Sequence, residues 1–403
     1  MFAASTNLLL LGAVLPPLVL ACLATFVIRR WAPRWGLVDQ PAARKVHTTP
    51  TPLGGGLGIW FGVVTTFGLG QLALAIVAFQ PGLAEWVPEA VRPHLAGLQA
   101  KSGGLWGLLA GGTVLVFLGL TDDKRGLPWQ LRLVVQFAVA AGCVAWLGLR
   151  LTAFIGIPAI TFGLSVVWIV ALINSFNMLD NMDGLSAGIG TISASVLAAV
   201  LLLAPDPQTH RPQLFVVGYL LVLVGGLLGF LFHNRPPARI FMGDAGSYFL
   251  GFYIATATLL ATYAGYQSPT PHAIFAPVCV MAVPLYDMTT VLWIRIREGR
   301  SPFQADKCHL SHRLVDLGLT KVQAVLTIYL LTLTCGLGAL LLHRVDLLGA
   351  CFILLLIVCL LTLIAILEST ARRKLAELKV PAGCVDKDTI VNPERNQHVG
   401  RNS

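Results

Sequence analysis

The sequence has few charged side chains and very few acidic ones. Asp, Glu, Lys and Arg make up 12% of its 403 residues, and only 19 residues are Asp or Glu. An average soluble domain has about 25% charged residues, so this composition excludes an ordinary soluble protein. The apolar residues, 56% of the chain, form long runs. A transmembrane helix needs about 20 such residues, and unbroken runs exclude a membrane barrel, whose strands alternate apolar and polar residues.

The sequence also lacks paired cysteine motifs. It has eight cysteines and no Cys-x-x-Cys spacing, so neither a disulfide framework nor a cysteine-ligated zinc site is predicted. Most of these cysteines fall inside apolar runs, where a free thiol behaves as a small apolar side chain. The six in such runs are Cys22, Cys143, Cys279, Cys335, Cys351 and Cys359.

The apolar runs predict an all-α polytopic membrane protein with about 10–11 transmembrane helices. A helix satisfies all of its own backbone hydrogen bonds, as a spanning segment must. The expected spans are residues 7–28, 53–79, 104–121, 131–148, 154–173, 186–204, 213–232, 246–264, 273–294, 322–342 and 347–367. The fourth and fifth spans are separated by only a short turn. The first has no basic segment before it, so we expect a retained helix rather than a signal peptide.

The basic residues are distributed unequally between the two sides of these spans. The loops that follow odd-numbered spans, together with the C-terminal tail, carry 23 of the 28 Lys and Arg residues. Cytoplasmic loops carry the excess of Lys and Arg in membrane proteins. We therefore expect an outside N-terminus and a cytoplasmic C-terminus in the inner (plasma) membrane. The net charge of +9 then faces the anionic lipid bilayer surface and anionic substrates, and nucleic acid is not an expected partner.

Residues 1–370 are expected to form one membrane domain that contains all of the chemistry. Residues 371–403 are polar and predict a helix end followed by a disordered cytoplasmic tail. The polar clusters lie on the predicted cytoplasmic loops, whereas a transporter needs polar groups at the middle of the membrane and usually has internal repeats. This one-sided distribution favours an enzyme at the inner membrane surface.

The few acidic residues are concentrated at the edges of the spans. Asp122 and Asp123 are adjacent, Asp180 and Asp183 are three residues apart, and Asp244 precedes the eighth span. Carboxylates at a membrane boundary are costly unless they bind something, and a divalent cation with bound phosphates relieves their repulsion. Two structural alternatives remain. Asp122 and Asp123 can pair with the bases that follow them, and Asp244 can be a helix N-cap.

Asparagines accompany the middle group of acids. Asn174, Asn177, Asp180 and Asp183 recur every three residues, which leaves them on roughly one face if the segment is helical. Amide and carboxylate oxygens are hard ligands suited to Mg²⁺. No Lys or Arg lies in this loop, so its carboxylates have no local partner.

Two basic groups lie on other predicted cytoplasmic loops. Arg44 and His47 precede three glycines at the start of the second span, where backbone N–H groups can approach a phosphate; alternatively, the bases are membrane anchors and the glycines are packing contacts. His309, His312 and Arg313 form the second group. A zinc site there lacks a third ligand, so diphosphate or sugar contacts fit this group better.

These motifs, in this order and on these loops, resemble those of the bacterial polyprenyl-phosphate N-acetylhexosamine-1-phosphate transferases. The resemblance covers about residues 30–320. It rests on the Asp-Asp pair, Asn177-Met-Leu-Asp-Asn-Met-Asp-Gly-Leu185, Pro237-Ala-Arg-Ile-Phe-Met-Gly-Asp244 and His309-Leu-Ser-His-Arg-Leu314. It implies transfer of a sugar-1-phosphate from a UDP-N-acetylhexosamine to undecaprenyl phosphate, with release of UMP. It also implies Mg²⁺ as cofactor, with Mn²⁺ as an alternative; whether the chain forms a homodimer stays open.

The resemblance implies a role for each motif residue. Asn177 and Asp244 correspond to the metal ligands. Asp122 corresponds to the group that orients or deprotonates the polyprenyl phosphate, and Asp123 supports it. The positions that hold uridine in the family correspond to Asp180 and Asp183. The positions implied to contact substrate are Arg44, His47, Asn234, Phe241, His309, His312 and Arg313.

The last motif favours one branch of the family. The branch that makes the muramoyl-pentapeptide lipid carries three consecutive histidines there, whereas this chain has His309-Leu-Ser-His-Arg. The pattern is closer to the branch that transfers N-acetylglucosamine-1-phosphate at the start of O-antigen, enterobacterial common antigen or teichoic acid synthesis. The muramoyl-pentapeptide transferase and a non-catalytic lipid transporter remain alternatives. A CDP-alcohol phospholipid synthase is disfavoured because only the beginning of its motif, Asp180-x-x-Asp183-Gly184, is present.

Overall fold

Helices make up most of the structure, a computed structural model that describes residues 2–40, 50–89, 91–151, 154–204, 206, 211–264, 270–303 and 308–378. The α-helices are α1 Phe2–Trp31, α2 Gly55–Phe79, α3 Leu95–Arg125, α4 Trp129–Leu147, α5 Pro158–Leu179, α6 Leu185–Leu203, α7 Leu214–Asn234, α8 Gly243–Leu260, α9 Ala276–Val280, α10 Ala282–Arg297, α11 Leu310–Asp316, α12 Lys321–Leu341 and α13 Leu347–Leu378. Short 3₁₀ helices cover Ala32–Trp35, Pro81–Trp86, Arg92–His94 and Pro271–Phe275. The two-residue strands β1 (Val38–Asp39) and β2 (Thr51–Pro52) pair antiparallel.

Nine helices in the described ranges are long and apolar enough to cross a membrane, and counting α9 and α10 as one bent span gives ten. The halves of that bent pair meet at 64°. The helix at the eighth predicted span, α8, is not among the nine; its first two turns contain Asp244 and Ser247. The prediction of an all-α polytopic membrane protein is confirmed. The number of spans and the orientation of the termini stay predictions.

Three helices continue well past the predicted ends of their spans. The two aspartates belong to the last turn of α3, which ends at Arg125 rather than at residue 121. α5 covers Pro158–Leu179 rather than 154–173. The predicted spans ended where polar residues begin, but a helix continues as long as its backbone hydrogen bonds are made. α13 likewise continues to Leu378, and the disorder predicted for the rest of the tail concerns residues outside the described ranges.

α8 lies at the centre of the bundle. It packs against α2, α3 and α5, while α6 packs against α7 and α12. Large aromatic side chains of α8 are completely buried, among them Phe249, Phe252 and Tyr253. The side chains exposed on α1, α12 and α13 are largely Leu, Val and Phe, as contact with lipid requires. The helix that carries Asp244 is therefore held on several sides.

Two glycines let α2 and α3 approach the beginning of α8 closely. A Cβ atom added to Gly56 would lie 2.2 Å from the Gly246 nitrogen, and one added to Gly119 would lie 2.3 Å from the Ala245 nitrogen. These distances are far shorter than van der Waals contact, so only glycine permits this packing. The close approach brings the C-terminal end of α3 next to the N-terminal end of α8.

The segment before α8 is fastened to the start of α2 by backbone hydrogen bonds. The Phe241 N–H donates to the Pro52 carbonyl, and the Gly55 and Gly56 N–H groups donate to the carbonyls of Phe241 and Met242, each at 2.9 Å. These two glycines therefore make packing contacts within the protein. Of the two alternatives given for the glycines, the structure favours packing over a phosphate contact for these two, because their N–H groups already have backbone partners.

Candidate active site

Three predicted groups of acidic residues meet at one end of the bundle. The last turn of α3 carries Asp122 and Asp123, the turn between α5 and α6 carries Asp180 and Asp183, and the first turn of α8 carries Asp244. They meet because α3 and α5 both pack against α8 and end where it begins. These five aspartates, although far apart in sequence, thus form one acidic region.

Asp122 is held in one orientation by three hydrogen-bond donors. The Leu127 N–H donates to Oδ1 at 2.7 Å, and Arg132 Nη1 and the Tyr248 hydroxyl donate to Oδ2 at 2.8 Å and 2.9 Å. The carboxyl also contacts that of Asp244. The ionic partner of Asp122 is therefore Arg132 of α4, rather than the bases that directly follow it in sequence.

Asp123 binds the N-terminus of α8. Its Oδ1 accepts a hydrogen bond from the Asp244 N–H at 2.9 Å, and its Oδ2 accepts one from the Ala245 N–H at 3.4 Å. A helix leaves such N–H groups unsatisfied at its start, so Asp123 caps α8 from a different helix. Asp244 lies inside the first turn and makes no side-chain cap. The N-cap alternative for Asp244 is therefore excluded.

Asn177 links α5 to α8. Its Nδ2 donates to Asp244 Oδ1 at 2.6 Å and to Ser247 Oγ at 3.0 Å. Asn174 instead donates to Gln136 Oε1 at 2.7 Å. One shared face required a helix over the whole segment. That condition is not met, because α5 ends before the two aspartates, which lie in the turn that follows.

Asp180 and Asp183 bind the backbone of the segment that leads into α8. Asp180 accepts a hydrogen bond from the Gly243 N–H, and Asp183 Oδ2 accepts one from the Ala238 N–H at 2.9 Å. Burial, with a smaller contribution from the charges of Asp123 and Asp183, raises the pKa of Asp180 to about 7, against the lowering effect of the Gly243 hydrogen bond. The neighbouring negative charges therefore favour the binding of a cation beside Asp180.

Asn234 and Phe241 fasten the same segment. Asn234 Oδ1 accepts a hydrogen bond from the Gly184 N–H, and its Nδ2 donates to the Ile240 carbonyl, both at 2.9 Å. Phe241 supplies the backbone bonds to α2 described above, and its side chain is partly exposed. Asn234 is thus buried and joins the turn at Gly184 to the segment before α8. Direct contact of Asn234 or Phe241 with substrate stays a prediction.

The second basic group is built on α11, and its members have different surroundings. His309 precedes the helix and places Nδ1 2.9 Å from Asp287 Oδ2. The ring of His312, which is partly exposed, lies 6.4 Å from that of His309 between centroids. Arg313 is buried and donates to Thr290 Oγ1 at 3.0 Å. The two histidine rings are therefore neighbours, while Arg313 binds groups inside the protein.

A side-chain hydrogen bond joins α11 to the acidic region. Ser311 Oγ donates to Asn181 Oδ1 at 2.6 Å, and Asn181 Nδ2 donates to the Met178 carbonyl at 2.8 Å. Asn181 stands between Asp180 and Asp183 in sequence. This contact places the histidine-bearing helix beside the carboxylates.

The first basic group lies outside the described residues. Arg44 and His47 belong to residues 41–49, so their contact with substrate stays a prediction. The strands on either side of that segment, β1 and β2, pair with each other. Since β2 is bonded to the loop before α8, both ends of the segment lie near the acidic region.

The acidic region has the donor chemistry of a divalent-cation site. Asp122, Asp123 and Asp244 repel one another at close range, and Arg132 offsets only part of their charge. Hard oxygen donors with surplus negative charge fit Mg²⁺. Within the described ranges, no group of three His, Cys, Asp or Glu side chains is already arranged to hold a metal ion. Asp244 and the amide of Asn177 fit such an ion by chemistry, and its binding stays a prediction.

Several residues that hold this site were not predicted. Tyr248 lies one helical turn after Asp244, and this i, i+4 spacing is a signal that both share a face of α8. Asp287 is an isolated acid inside an apolar span, and Glu368 directly follows the last span. An isolated acid in such a place indicates a functional residue. Attention to clusters of acids alone passes over such single residues.

Comparisons with known proteins agree with this geometry. The sequence profile of glycosyl transferase family 4 matches residues 105–262. A Bacillus subtilis (strain 168) protein named probable undecaprenyl-phosphate N-acetylglucosaminyl 1-phosphate transferase is 31% identical over 362 residues, which cover 88% of this chain and 90% of the relative. A decaprenyl-phosphate N-acetylglucosaminephosphotransferase of Mycobacterium tuberculosis (strain ATCC 25618 / H37Rv) is 33% identical over 335 residues, 77% of each chain. An undecaprenyl-phosphate alpha-N-acetylglucosaminyl 1-phosphate transferase of Escherichia coli O157:H7 is 29% identical over 322 residues, 76% of each chain.

A bundle of membrane helices with carboxylates and histidines gathered at one end defines a polytopic membrane enzyme. The chain belongs to glycosyl transferase family 4. The resemblance seen in the motifs is therefore confirmed, as is the prediction of an enzyme. All three relatives are named for the transfer of N-acetylglucosamine-phosphate, so the muramoyl-pentapeptide and transporter alternatives are not favoured.

Proposed function

We propose that this enzyme transfers N-acetylglucosamine-1-phosphate from UDP-N-acetylglucosamine to undecaprenyl phosphate and releases UMP. The reaction takes place at the cytoplasmic face of the inner (plasma) membrane. The observation that carries the proposal has two parts. The Asp244 side chain contacts those of Asp122 and Asn177, and the Ser311–Asn181 hydrogen bond joins the histidine-bearing helix α11 to the neighbouring turn between α5 and α6. The names of the relatives support the choice of sugar and of a polyprenyl acceptor.

Arg132 is suited to bind the phosphate of the acceptor lipid. It lies in the first turn of α4, at the end of a membrane helix, and its side chain is 27% exposed. Its Nη1 meets Asp122 at 2.8 Å and the Tyr248 hydroxyl at 3.4 Å. A guanidinium has five N–H donors, so the others remain for phosphate oxygens. Asp122 then acts by orienting Arg132.

The transfer is an in-line displacement at phosphorus. A phosphate monoester has its second pKa near 6, so the acceptor is mostly dianionic at neutral pH and needs no strong base. One of its oxygens forms a bond to the sugar-linked phosphorus, and the bond from that phosphorus to the UMP oxygen breaks. Asp122 accepts three hydrogen bonds, which stabilise its charge and weaken it as a nucleophile. This favours direct displacement over a phosphorylated aspartate.

The site must reduce the repulsion between the two anionic substrates. When bound, Mg²⁺, or Mn²⁺ as an alternative, would supply a Lewis acid that draws charge from the diphosphate. The residues that would hold it are Asp244 and Asn177. His309 and His312 share the remaining charge as N–H donors beside the diphosphate.

The uridine end of the donor is assigned to the turn between α5 and α6. Gly184 in that turn is held by two neighbours: its N–H donates to Asn234 at 2.9 Å, and its carbonyl accepts from the Tyr329 hydroxyl at 2.5 Å. A turn fixed in this way presents Asp180 and Asp183 in a constant arrangement. Because the uridine end of the donor is bound in a fixed position, its binding energy can orient the diphosphate end, where the reaction takes place.

Release of UMP from a panel of UDP-N-acetylhexosamines tests the proposal. The purified full-length chain is placed in vesicles containing undecaprenyl phosphate. We expect UMP from UDP-N-acetylglucosamine only when acceptor and Mg²⁺ are both present, and loss of release with EDTA. Turnover of UDP-N-acetylmuramoyl-pentapeptide instead would contradict the choice of sugar. Absence of UMP with every donor would contradict the transfer itself.

A further inference from the structure

A buried cluster of charged side chains joins the last helix, α13, to the helix that carries the histidines. Asp287 belongs to α10, Arg313 to α11 and Glu368 to α13. Their side chains are 0%, 4% and 3% exposed. Charged groups buried inside a membrane protein are costly and usually have a function. The chemistry described above leaves Glu368 without one.

Arg313 of α11 is engaged by protein groups from two other helices. Glu368 Oε2 lies 3.3 Å from Arg313 Nε and accepts a hydrogen bond from the Tyr286 hydroxyl at 3.1 Å. Arg313 Nη2 donates to Thr290 Oγ1 at 3.0 Å and lies 3.8 Å from Asp287 Oδ1. The guanidinium therefore holds α10, α11 and α13 together.

Asp287 connects this cluster of charged side chains to His309. Its Oδ1 accepts a hydrogen bond from the Leu310 N–H at 2.5 Å, and its Oδ2 lies 2.9 Å from His309 Nδ1. A carboxylate can only accept, so Nδ1–H donates to Asp287 and Nε2 is the ring nitrogen left for the diphosphate, to which it donates as the second N–H of an imidazolium. One carboxylate thus sets both the start of α11 and the orientation of the His309 ring.

Glu368 prevents competition for that carboxylate. The guanidinium of Arg313 stands 3.8 Å from Asp287, too far for a hydrogen bond, because Glu368 attracts it from another helix. Without the Glu368 charge, Asp287 would be the remaining carboxylate of the cluster beside Arg313. Attraction between opposite charges in a buried site is strong, so Arg313 would move toward Asp287 and displace His309.

We propose that Glu368 is a positioning residue for the donor site: by holding Arg313 away from Asp287, it keeps Asp287 on His309 and aims the His309 ring at the diphosphate of the UDP-sugar. The proposal rests on the function proposed above. It gives the largely lipid-exposed helix α13 a part in substrate binding. It also makes Arg313 a positioning residue rather than the substrate contact implied by the family resemblance.

The first test compares Glu368→Gln with Ser369→Ala in the full-length enzyme. Glutamine keeps the size of the side chain and removes its charge, whereas Ser369 is an exposed neighbour on the same helix. We expect the KM for UDP-N-acetylglucosamine to rise about tenfold in Glu368→Gln, as for the loss of a charged hydrogen bond. The KM for undecaprenyl phosphate should stay within about twofold, and Ser369→Ala should match the wild type. An equal change in both KM values, or no change, overturns the proposal.

The second test separates positioning from stability. Replacing a whole buried ion pair by apolar residues is often neutral for stability, whereas removing one partner is destabilising. The double variant Arg313→Met/Glu368→Met should therefore melt near the wild-type temperature. Because it has no guanidinium to compete for Asp287, its KM for UDP-N-acetylglucosamine should return to within about twofold of the wild type. A wild-type Tm together with a KM still raised about tenfold would overturn the proposal, because competition by Arg313 would then not be the cause of the defect in Glu368→Gln.

Hydrogen exchange distinguishes failure of this proposal from failure of the proposed function. The backbone amides of residues 310–316, including the Leu310 N–H bonded to Asp287, should exchange faster in Glu368→Gln than in Ser369→Ala, whatever reaction the enzyme catalyses. Unchanged exchange with normal UMP release would overturn the coupling of α13 to α11 alone. Faster exchange in a chain whose wild type releases no UMP would contradict the transferase function and leave the coupling supported.

Discussion

The carboxylates of the active site differ in what each one binds. Asp122 accepts hydrogen bonds from a guanidinium and a hydroxyl, Asp123 caps α8, and Asp244 accepts one from the Asn177 amide. Their proposed roles follow from these partners: orientation of a cation, support of a helix, and ligation of a metal ion. Substitutions at these three positions should therefore impair the enzyme in different ways.

Asp244→Asn should lower kcat for UMP release by about 10²–10³-fold or more, because the variant loses a charge proposed to hold the cation that neutralises the diphosphate. Mg²⁺ should raise the Tm of the wild type but not that of the variant. Asp346→Asn, at the opposite end of α13 from Glu368, is the matched control. An Mg²⁺-induced Tm shift that survives in Asp244→Asn would argue against Asp244 as a ligand.

Arg132→Lys tests whether the geometry of the guanidinium is needed beyond its charge. A lysine ammonium is a point donor that cannot meet Asp122 and a phosphate in the planar arrangement of arginine. We expect Arg132→Lys to retain partial activity, with the KM for undecaprenyl phosphate raised about tenfold, and Arg132→Met to lose almost all activity. Initial rates over a range of acceptor concentrations give the comparison. Equal activity of the Lys and Met variants would count against a phosphate contact.

Asp180 gives the stability of the metal-free enzyme a pH dependence. Its pKa is raised from 3.8 to about 7, so between these values the folded state holds a proton that the unfolded state has lost. This stabilising contribution is complete below about pH 4 and is lost as the pH rises through 7. In EDTA, the Tm of Asp180→Asn relative to wild type should increase by about 2–4 °C between pH 5 and pH 8. Parallel Tm curves across this range would contradict the assignment.

Among the elements, α8 is the one on which the site depends. It carries Asp244, its N-terminus is capped from α3, and its position is set by glycines of α2 and α3 that allow backbone contact. The helix itself is predictable from the sequence, since an apolar run after the Asp244 motif indicates a span. Its close contacts are not predictable, because many glycines in the chain look alike in sequence and only some of them meet another backbone.

Gly119→Ala should separate α3 from α8, because a Cβ there would lie 2.3 Å from the Ala245 nitrogen. We expect a lower Tm, through an overpacking cost of about 1–3 kcal/mol, and a loss of UMP release greater than about tenfold as Asp123 moves away from the start of α8. Gly103→Ala on the same helix is the control, since a Cβ there meets nothing within 4 Å. Similar behaviour of the two variants would refute this account of the packing.

The distribution of basic residues should determine how the whole molecule is oriented across the membrane. All polar clusters of the proposed site lie on loops of the Lys- and Arg-rich side, so the active site and the C-terminus should both face the cytoplasm. A fluorescent protein fused after the C-terminus should fluoresce, and alkaline phosphatase fused in the loop that contains Arg92 should be active. Fusion at the loop after α7 serves as the opposite control and should give inactive phosphatase. Active phosphatase at that control position would reverse the predicted topology.

Membership of a membrane enzyme family was readable from the sequence because its signals are local. Apolar runs of about 20 residues predict spans, and the order of the Asp, Asn and His motifs was sufficient to indicate the family. The side of the membrane stays a prediction and the question of a homodimer stays open, since no contact inside one chain reports either. Helix ends were less readable, as α3 and α5 continue past the residues where their apolar runs stop.

The partner of each functional side chain was decided only by the tertiary structure. The sequence placed Asp122 beside two bases, yet it binds Arg132; it grouped Asn174 with Asn177, yet these point to different helices. Glu368 showed no motif at all. The physical reason is that local sequence sets helix formation and hydrophobicity, whereas hydrogen bonds and ion pairs form between residues that packing brings within about 3 Å from distant parts of the chain.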